Sequence, residues 1–263
     1  MKTKERKRKQ KKITTTSKED NTRSKKENIY DKIEKIMIQS AITFGLILLL
    51  ITWGTIPVII TSLFNIDYKK LPQALNVFLS FLNDIILILI LISIYKKDIV
   101  RDFKNFFQKE NVLKNIKTAV SFWLFGLMIM IISNSIISTI TNGQLAANEE
   151  AVRKLVRLYP LYMAFQLIIY APLTEEIIFR KSIRNITNNK YLYIFLTGFI
   201  FGGMHVISSL SSISDLLYLI PYCSLGFVFG YLYDKTNNLF FTITAHAFHN
   251  TLALVLYLIQ VIL

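Results

Sequence analysis

Long apolar runs separated by short polar ones dominate this chain, and most are long enough to cross a bilayer. A spanning helix needs about 20 predominantly apolar residues at 1.5 Å of rise each. By that measure about seven spans are predicted. They run from about Ile36 to Phe64, Gln73 to Tyr95, Ala119 to Ile140, Leu155 to Phe179, Tyr191 to Leu210, Ile213 to Tyr233 and Leu239 to Leu263. Pro57 is expected to kink the first. The prediction is an all-α, polytopic transmembrane helix bundle. No internal repeat and no glycine-rich phosphate loop interrupts the pattern. Phe103-Lys-Asn-Phe-Phe107 mixes aromatic and basic residues between the second and third runs. It fits an interfacial amphipathic helix or a solvated loop.

The polar remainder divides the chain into three parts. Residues 1–35 are predicted to be a disordered basic tail, 36–150 an N-terminal set of membrane helices, and 151–263 a membrane core that carries the chemistry. Composition agrees with a membrane protein: 52% of residues are hydrophobic and 18% charged, where soluble domains carry about 25% charged residues. The tail holds 14 Lys/Arg against six Asp/Glu, which leaves +6 of the formal net charge of +14 for everything after it. So polar a segment cannot bury enough apolar surface to offset its chain entropy. Its charge suits a topology signal lying on anionic lipid, and no nucleic-acid partner is expected. It lacks the short apolar stretch and small-residue site of a cleavable signal peptide. The single cysteine, Cys223, rules out an intramolecular disulfide and reads as a small packing residue.

Loop charge predicts an orientation. The tail, the connection holding Lys96, Lys97, Arg101, Lys104, Lys109, Lys114 and Lys117, and the segment with Arg180, Lys181, Arg184 and Lys190 fall on one side of a seven-span chain. The positive-inside rule makes that side cytoplasmic. The N-terminus is then inside, the C-terminus outside, and the protein a multi-pass component of a cell membrane.

Against this apolar background a few ionisable residues stand out. An ionisable residue within a span costs about 2.5–3.5 kcal/mol on insertion scales and is a functional candidate by default. Glu175 and Glu176 are adjacent in Ala171-Pro-Leu-Thr-Glu-Glu-Ile-Ile-Phe-Arg180. Glu176 and Arg180 are four apart and share a helix face, where they can pair. Glu175 lies about 100° round the helix and has no such partner. An unpaired carboxylate in a low-dielectric site suits a general base. His205 follows Gly202 and Gly203 in the fifth span, with Phe201 one turn before it. The two glycines permit close helix approach, or leave room for a substrate backbone. His246 and Asn250 are four apart on the seventh span. Together they offer hydrogen-bond donors of the kind that stabilise an oxyanion. If the helices tilt, the set can meet in a cavity open to the side of the basic loops.

Glu175-Glu176-x-x-x-Arg180, Phe201-x-x-x-His205 and His246-x-x-x-Asn250, in that order on successive apolar segments, resemble the three signature motifs of the CPBP family. These are the CAAX proteases and bacteriocin-processing enzymes, also called the Abi family, with the type II CAAX prenyl endopeptidase as a relative. The resemblance covers about Leu155 to Leu263. It implies an intramembrane endopeptidase in which Glu175 activates water with help from His205. It further implies that His246 and Asn250 form the oxyanion hole, and that Glu176 and Arg180 hold the motif in place. His249 matches no signature position.

Glu175, His205 and His246 could instead hold a divalent metal such as zinc as a two-His-one-carboxylate site. A metal-free mechanism is preferred, because His246 and His249 are one residue too close for the His-x-x-x-His pair common in zinc proteases. The expected substrate is a peptide precursor or membrane-associated peptide. The associated roles are bacteriocin maturation, self-immunity or peptide signalling in a bacterium. A non-enzymatic immunity or scaffold protein is the alternative. A proton-coupled transporter is disfavoured by the missing repeat.

Overall fold

The computed structural model describes residues 29–207, 210 and 212–262. Within them the chain is helical and without strands. The expected tail up to residue 28 lies outside this range, but residues 29–35, expected to belong to it, are already helical. Seven helices have the length and apolarity to span a membrane. They are α1 (Ile29–Leu63), α2 (Gln73–Phe106), α3 (Val112–Ile140), α5 (Pro160–Ser182), α6 (Lys190–Ile207), α7 (Ile213–Thr236) and α8 (Leu239–Ile262), with the short α4 (Ala147–Leu158) between α3 and α5. Their outward positions are large apolar residues such as Phe44, Leu89, Ile132, Phe199 and Ile220, as a bilayer requires.

Two expectations of the pattern are adjusted. Phe103-Lys-Asn-Phe-Phe107 is neither a separate interfacial helix nor a loop. It continues α2, which bends at Tyr95 (φ −107°, ψ 19°). Its rings are absorbed by aromatic contacts: Phe106 meets Phe241 with centroids 4.9 Å apart and Phe103 meets Phe240 at 5.3 Å. The fourth run is also not continuous from Leu155. Tyr159 leaves helical conformation (φ −138°, ψ 58°), because the residue before Pro160 is pushed out of the α region. Polar α4 is thereby split from α5. In α1 the turn Trp53–Thr55 tightens just ahead of Pro57, where the proline ring crowds the preceding carbonyls.

The closest helix pair is α6 with α7, packed through glycine. A Cβ on Gly202 would lie 2.7 Å from the Cys223 amide nitrogen, and one on Gly226 would lie 2.8 Å from Gly198 Cα. Small residues let backbones touch in this way, and dispersion replaces the missing hydrophobic drive within lipid. Gly203, one position on, meets nothing closer than Ile207 Cδ1 at 3.8 Å, so only Gly202 serves the approach. Helix α8 packs against α2, α3, α5 and α7 and brings its polar residues to the face of α5.

Ion pairs gather at one end of the bundle. Lys181 at the end of α5 meets Asp98 of α2 at 3.1 Å, Arg184 pairs with Asp234 of α7, and Arg101 meets Asp98 at 2.9 Å. Buried Asp102 accepts from the Leu239 amide and so caps the start of α8. The basic segments around Lys96–Lys104 and Arg180–Lys190 therefore share one face, as loop charge anticipated. Helix α4 belongs to the other end, where Arg153 donates to Gln260 (2.7 Å) and lies over the Tyr257 ring.

Candidate active site

Helix α5 carries Glu175 and Glu176 on a short α-helical stretch, Ala171–Glu176, bounded by two π turns, Gln166–Tyr170 and Ile177–Ser182. Pro172 explains the first. It has no N–H, and its ring would clash with the carbonyl four residues back. The wider turn directs the Ala171 N–H to the Gln166 carbonyl. The Leu167 carbonyl is then left without a backbone donor: Ala171 is engaged elsewhere, and residue 172 has nothing to give. Asn250 Nδ2 of α8 donates to it at 2.9 Å. π turns recur at functional sites, and here one helix's irregularity is completed by a side chain of another. The sequence signal was Pro172 itself, inside an apolar run.

Glu176 and Arg180 are both fully buried. Arg180 Nε donates to Glu176 Oε2 at 2.8 Å, Arg180 Nη1 donates to Thr197 Oγ1 at 2.6 Å, and the guanidinium lies 5.0 Å from the Phe201 ring centre. The expected Glu176–Arg180 pair is thus present. Glu176 does more than meet Arg180, however: its Oε1 accepts from His246 Nδ1 at 2.9 Å. His246 therefore partners Glu176 and not Glu175.

Glu175 has the partner sequence could not supply. Its Oε2 lies 4.0 Å from His205 Nε2. This oxygen is buried and receives no hydrogen bond among the described residues. His205 Nδ1 lies 2.9 Å from the Phe201 carbonyl. A carbonyl only accepts, so Nδ1 carries a proton, and Nε2 is the ring nitrogen nearer Glu175. The ring stacks on Tyr222 (centroids 5.0 Å, 24°) and meets Phe201 at a tilt of 41° (4.5 Å). Phe201 also meets His246 edge-on at 5.8 Å. It is the common floor under Arg180, His205 and His246.

Glu175, His205, His246 and Asn250 line one cavity of about 250 Å³. His249, which matched no motif, lines it too. Trp123 Nε1 donates to its Nδ1 at 3.4 Å, so neutral His249 turns an Nε2–H outward. The cavity does not run toward the basic face as expected. Its walls reach Asn148 and Val152 of α4 and Tyr257 near the end of α8, the end opposite the Asp98–Lys181 pair. The reason is that His205 lies 15 residues along α6 from Lys190, toward the end of the bundle opposite the basic face. A second cavity of about 420 Å³ meets the first at Glu175 and His205 and extends to α1 and α2.

A metal fits these residues poorly. Among the described residues no three His, Cys, Asp or Glu side chains are grouped to hold an ion. His246 turns Nδ1 to Glu176, so Nε2 is its one nitrogen available to an ion. A metal at ~2.1 Å from both Glu175 Oε2 and His205 Nε2 would sit almost between them, far from tetrahedral.

Residues 157–252 match the family model described as "Type II CAAX prenyl endopeptidase Rce1-like". Among curated proteins, YdiL of Bacillus subtilis (strain 168), named as a candidate membrane peptidase, is 27% identical over 190 residues, covering 71% of this chain and 72% of YdiL. UPF0177 protein YxdF of Lactococcus lactis subsp. lactis (strain IL1403) is 27% identical over 149 residues, 52% of this chain and 77% of YxdF. No solved structure gave a significant match.

Proposed function

We propose that this chain is a CPBP-family intramembrane protease of the Rce1-like type, in which Glu175 is the general base and His205 the partner that orients the attacking water. The observation that carries the proposal is the buried, unbonded Glu175 Oε2 facing His205 Nε2 across 4.0 Å. That gap is too long for a hydrogen bond and suits a water about 2.8 Å from both atoms. Glu175 takes a proton as the water oxygen attacks the scissile carbonyl carbon. The same proton then passes to the leaving amine as the C–N bond breaks.

The oxyanion needs donors, and the geometry constrains them. His246 gives its Nδ1–H to Glu176, so it can donate from Nε2 only as an imidazolium, with Glu176 as counter-ion. Asn250 has one amide N–H committed to Leu167 and a second to offer. Glu176, Arg180 and Phe201 act as positioning residues. No cofactor is required. The basic face is read as cytoplasmic, with the N-terminus inside and the C-terminus outside. The substrate is a peptide precursor or membrane-associated peptide, of the kind used in bacteriocin maturation, self-immunity or peptide signalling.

The test is cleavage by Glu175→Ala, His205→Ala and His246→Ala proteins shown to be folded in detergent. Each is expected to lose about 10²–10⁴-fold in rate. Full activity in all three sinks the proposal.

A further inference from the structure

The second cavity, which shares Glu175 and His205 with the first, has an acidic far wall. Asp84 sits in the middle of the apolar run of α2, only 5% exposed. Tyr162 Oη donates to Asp84 Oδ2 at 2.8 Å and Gln166 Nε2 donates to the same oxygen at 2.5 Å. Among the described residues both hydrogen bonds to the carboxylate end on Oδ2, and Asp84 lines the cavity. The cavity wall contains, among the described residues, Asp84 and Glu175 and no Lys or Arg. In a chain of net charge +14, this is a locally anionic chamber beside the reacting groups.

A carboxylate within a span needs a partner. Tyr162 and Gln166 are neutral donors, and they fix the orientation of Asp84 without balancing its charge. Gln166 lies nine residues before Glu175 on α5, about 13 Å along a helix and so about four residues of extended peptide. Nine regular α-helical steps would put the two on opposite sides of α5. The extra residue of the π turn at Gln166–Tyr170 withdraws about one 100° step and brings both to the same chambers.

Resting on the proteolytic reading above, we propose that Asp84 is a substrate-specificity residue that receives a cationic group of the peptide, a Lys or Arg side chain or a free α-amine, about three to five residues from the scissile bond. Charge-assisted hydrogen bonds contribute about 1.5–3 kcal/mol, which corresponds to about 10- to 100-fold in kcat/KM.

The experiment is a survey of cleavage sites by the full-length protein in detergent, using a proteome-derived peptide library with free or acetylated N-termini. The expected result is enrichment of Lys and Arg at a fixed distance from the cut. If the α-amine is the ligand, the expected result is instead cuts confined to unacetylated peptides at a fixed distance from their N-terminus. The best peptide is then compared with versions carrying norleucine or Glu at the enriched position, or an acetylated N-terminus. Each loses at least about tenfold in kcat/KM, mostly through KM. This substrate arm uses wild-type protein only, so it stands even if a variant misfolds. In Asp84→Asn the charged and neutral peptides are expected to come within about twofold of each other. Cleavage without a basic preference overturns the proposal, as does a preference that survives in Asp84→Asn. So does loss of all cleavage in a folded Asp84→Asn, which would give Asp84 a general structural task. If wild type and Glu175→Gln are equally inert toward every peptide, the proteolytic reading itself falls.

Discussion

At the residue scale, the two adjacent glutamates divide their tasks more sharply than spacing implied. Glu176 is enclosed by Arg180 and His246. Removing its charge leaves a buried guanidinium uncompensated, which costs about 3–5 kcal/mol in buried pairs. Glu176→Gln is therefore expected to lower the thermal midpoint in detergent by many degrees. Glu175→Gln removes no hydrogen bond to Oε2 among the described residues and should melt close to wild type. Equal melting shifts for the two variants would contradict this division. The Glu176–Arg180 pair was legible from an i, i+4 spacing. The link from His246 to Glu176, across 70 residues, was not, because spacing along one helix carries no information about which neighbour a side chain meets on another.

At the element scale, the geometry rests on irregular helix. Pro172 forces the π turn, the turn orphans the Leu167 carbonyl, and Asn250 satisfies it. Pro172→Ala restores an N–H and is expected to favour regular helix, turning Glu175 by about 100° away from His205. Cleavage should fall steeply while thermal stability holds or rises, and wild-type cleavage by that variant counts against the scheme. Asn250→Ala leaves the carbonyl unsatisfied and should cost about 1–3 kcal/mol, measured by denaturant unfolding. Glycine separates likewise. Gly202→Ala drives a methyl into the Cys223 backbone and should destabilise the α6–α7 pair, while Gly203→Ala has room and should be tolerated. The runs that became spans were readable because a 20-residue apolar stretch has few alternatives. The π turns were not readable, since they depend on where an orphaned carbonyl finds a donor.

At the scale of the whole molecule, the bundle has two unlike ends. One is ion-paired through Asp98, Lys181, Arg184 and Asp234. The other carries α4 and the reach of the site cavity. Loop charge anticipated the first. The second was missed because most of α4 reads as a loop and only its end, from Leu155, as the start of a span; its separation depends on the break at Tyr159. Asp84 was also passed over, although one acid in an apolar run is the same signal that singled out Glu175. If the basic face is cytoplasmic, a cysteine at Asn188 should resist an impermeant thiol reagent added to intact cells. One at Gln144 should react. The native Cys223 is buried and contributes little background. The reverse labelling pattern would invert the orientation.

The most direct test of the central claim is the single-turnover cleavage rate of purified, chelator-stripped protein, wild type against Glu175→Gln, on one peptide. Full wild-type activity without metal is expected, with a loss of about 10²–10⁴-fold in a variant that melts normally. Activity that vanishes on chelation and returns with zinc, or a Glu175→Gln protein that cleaves at the wild-type rate, would contradict it.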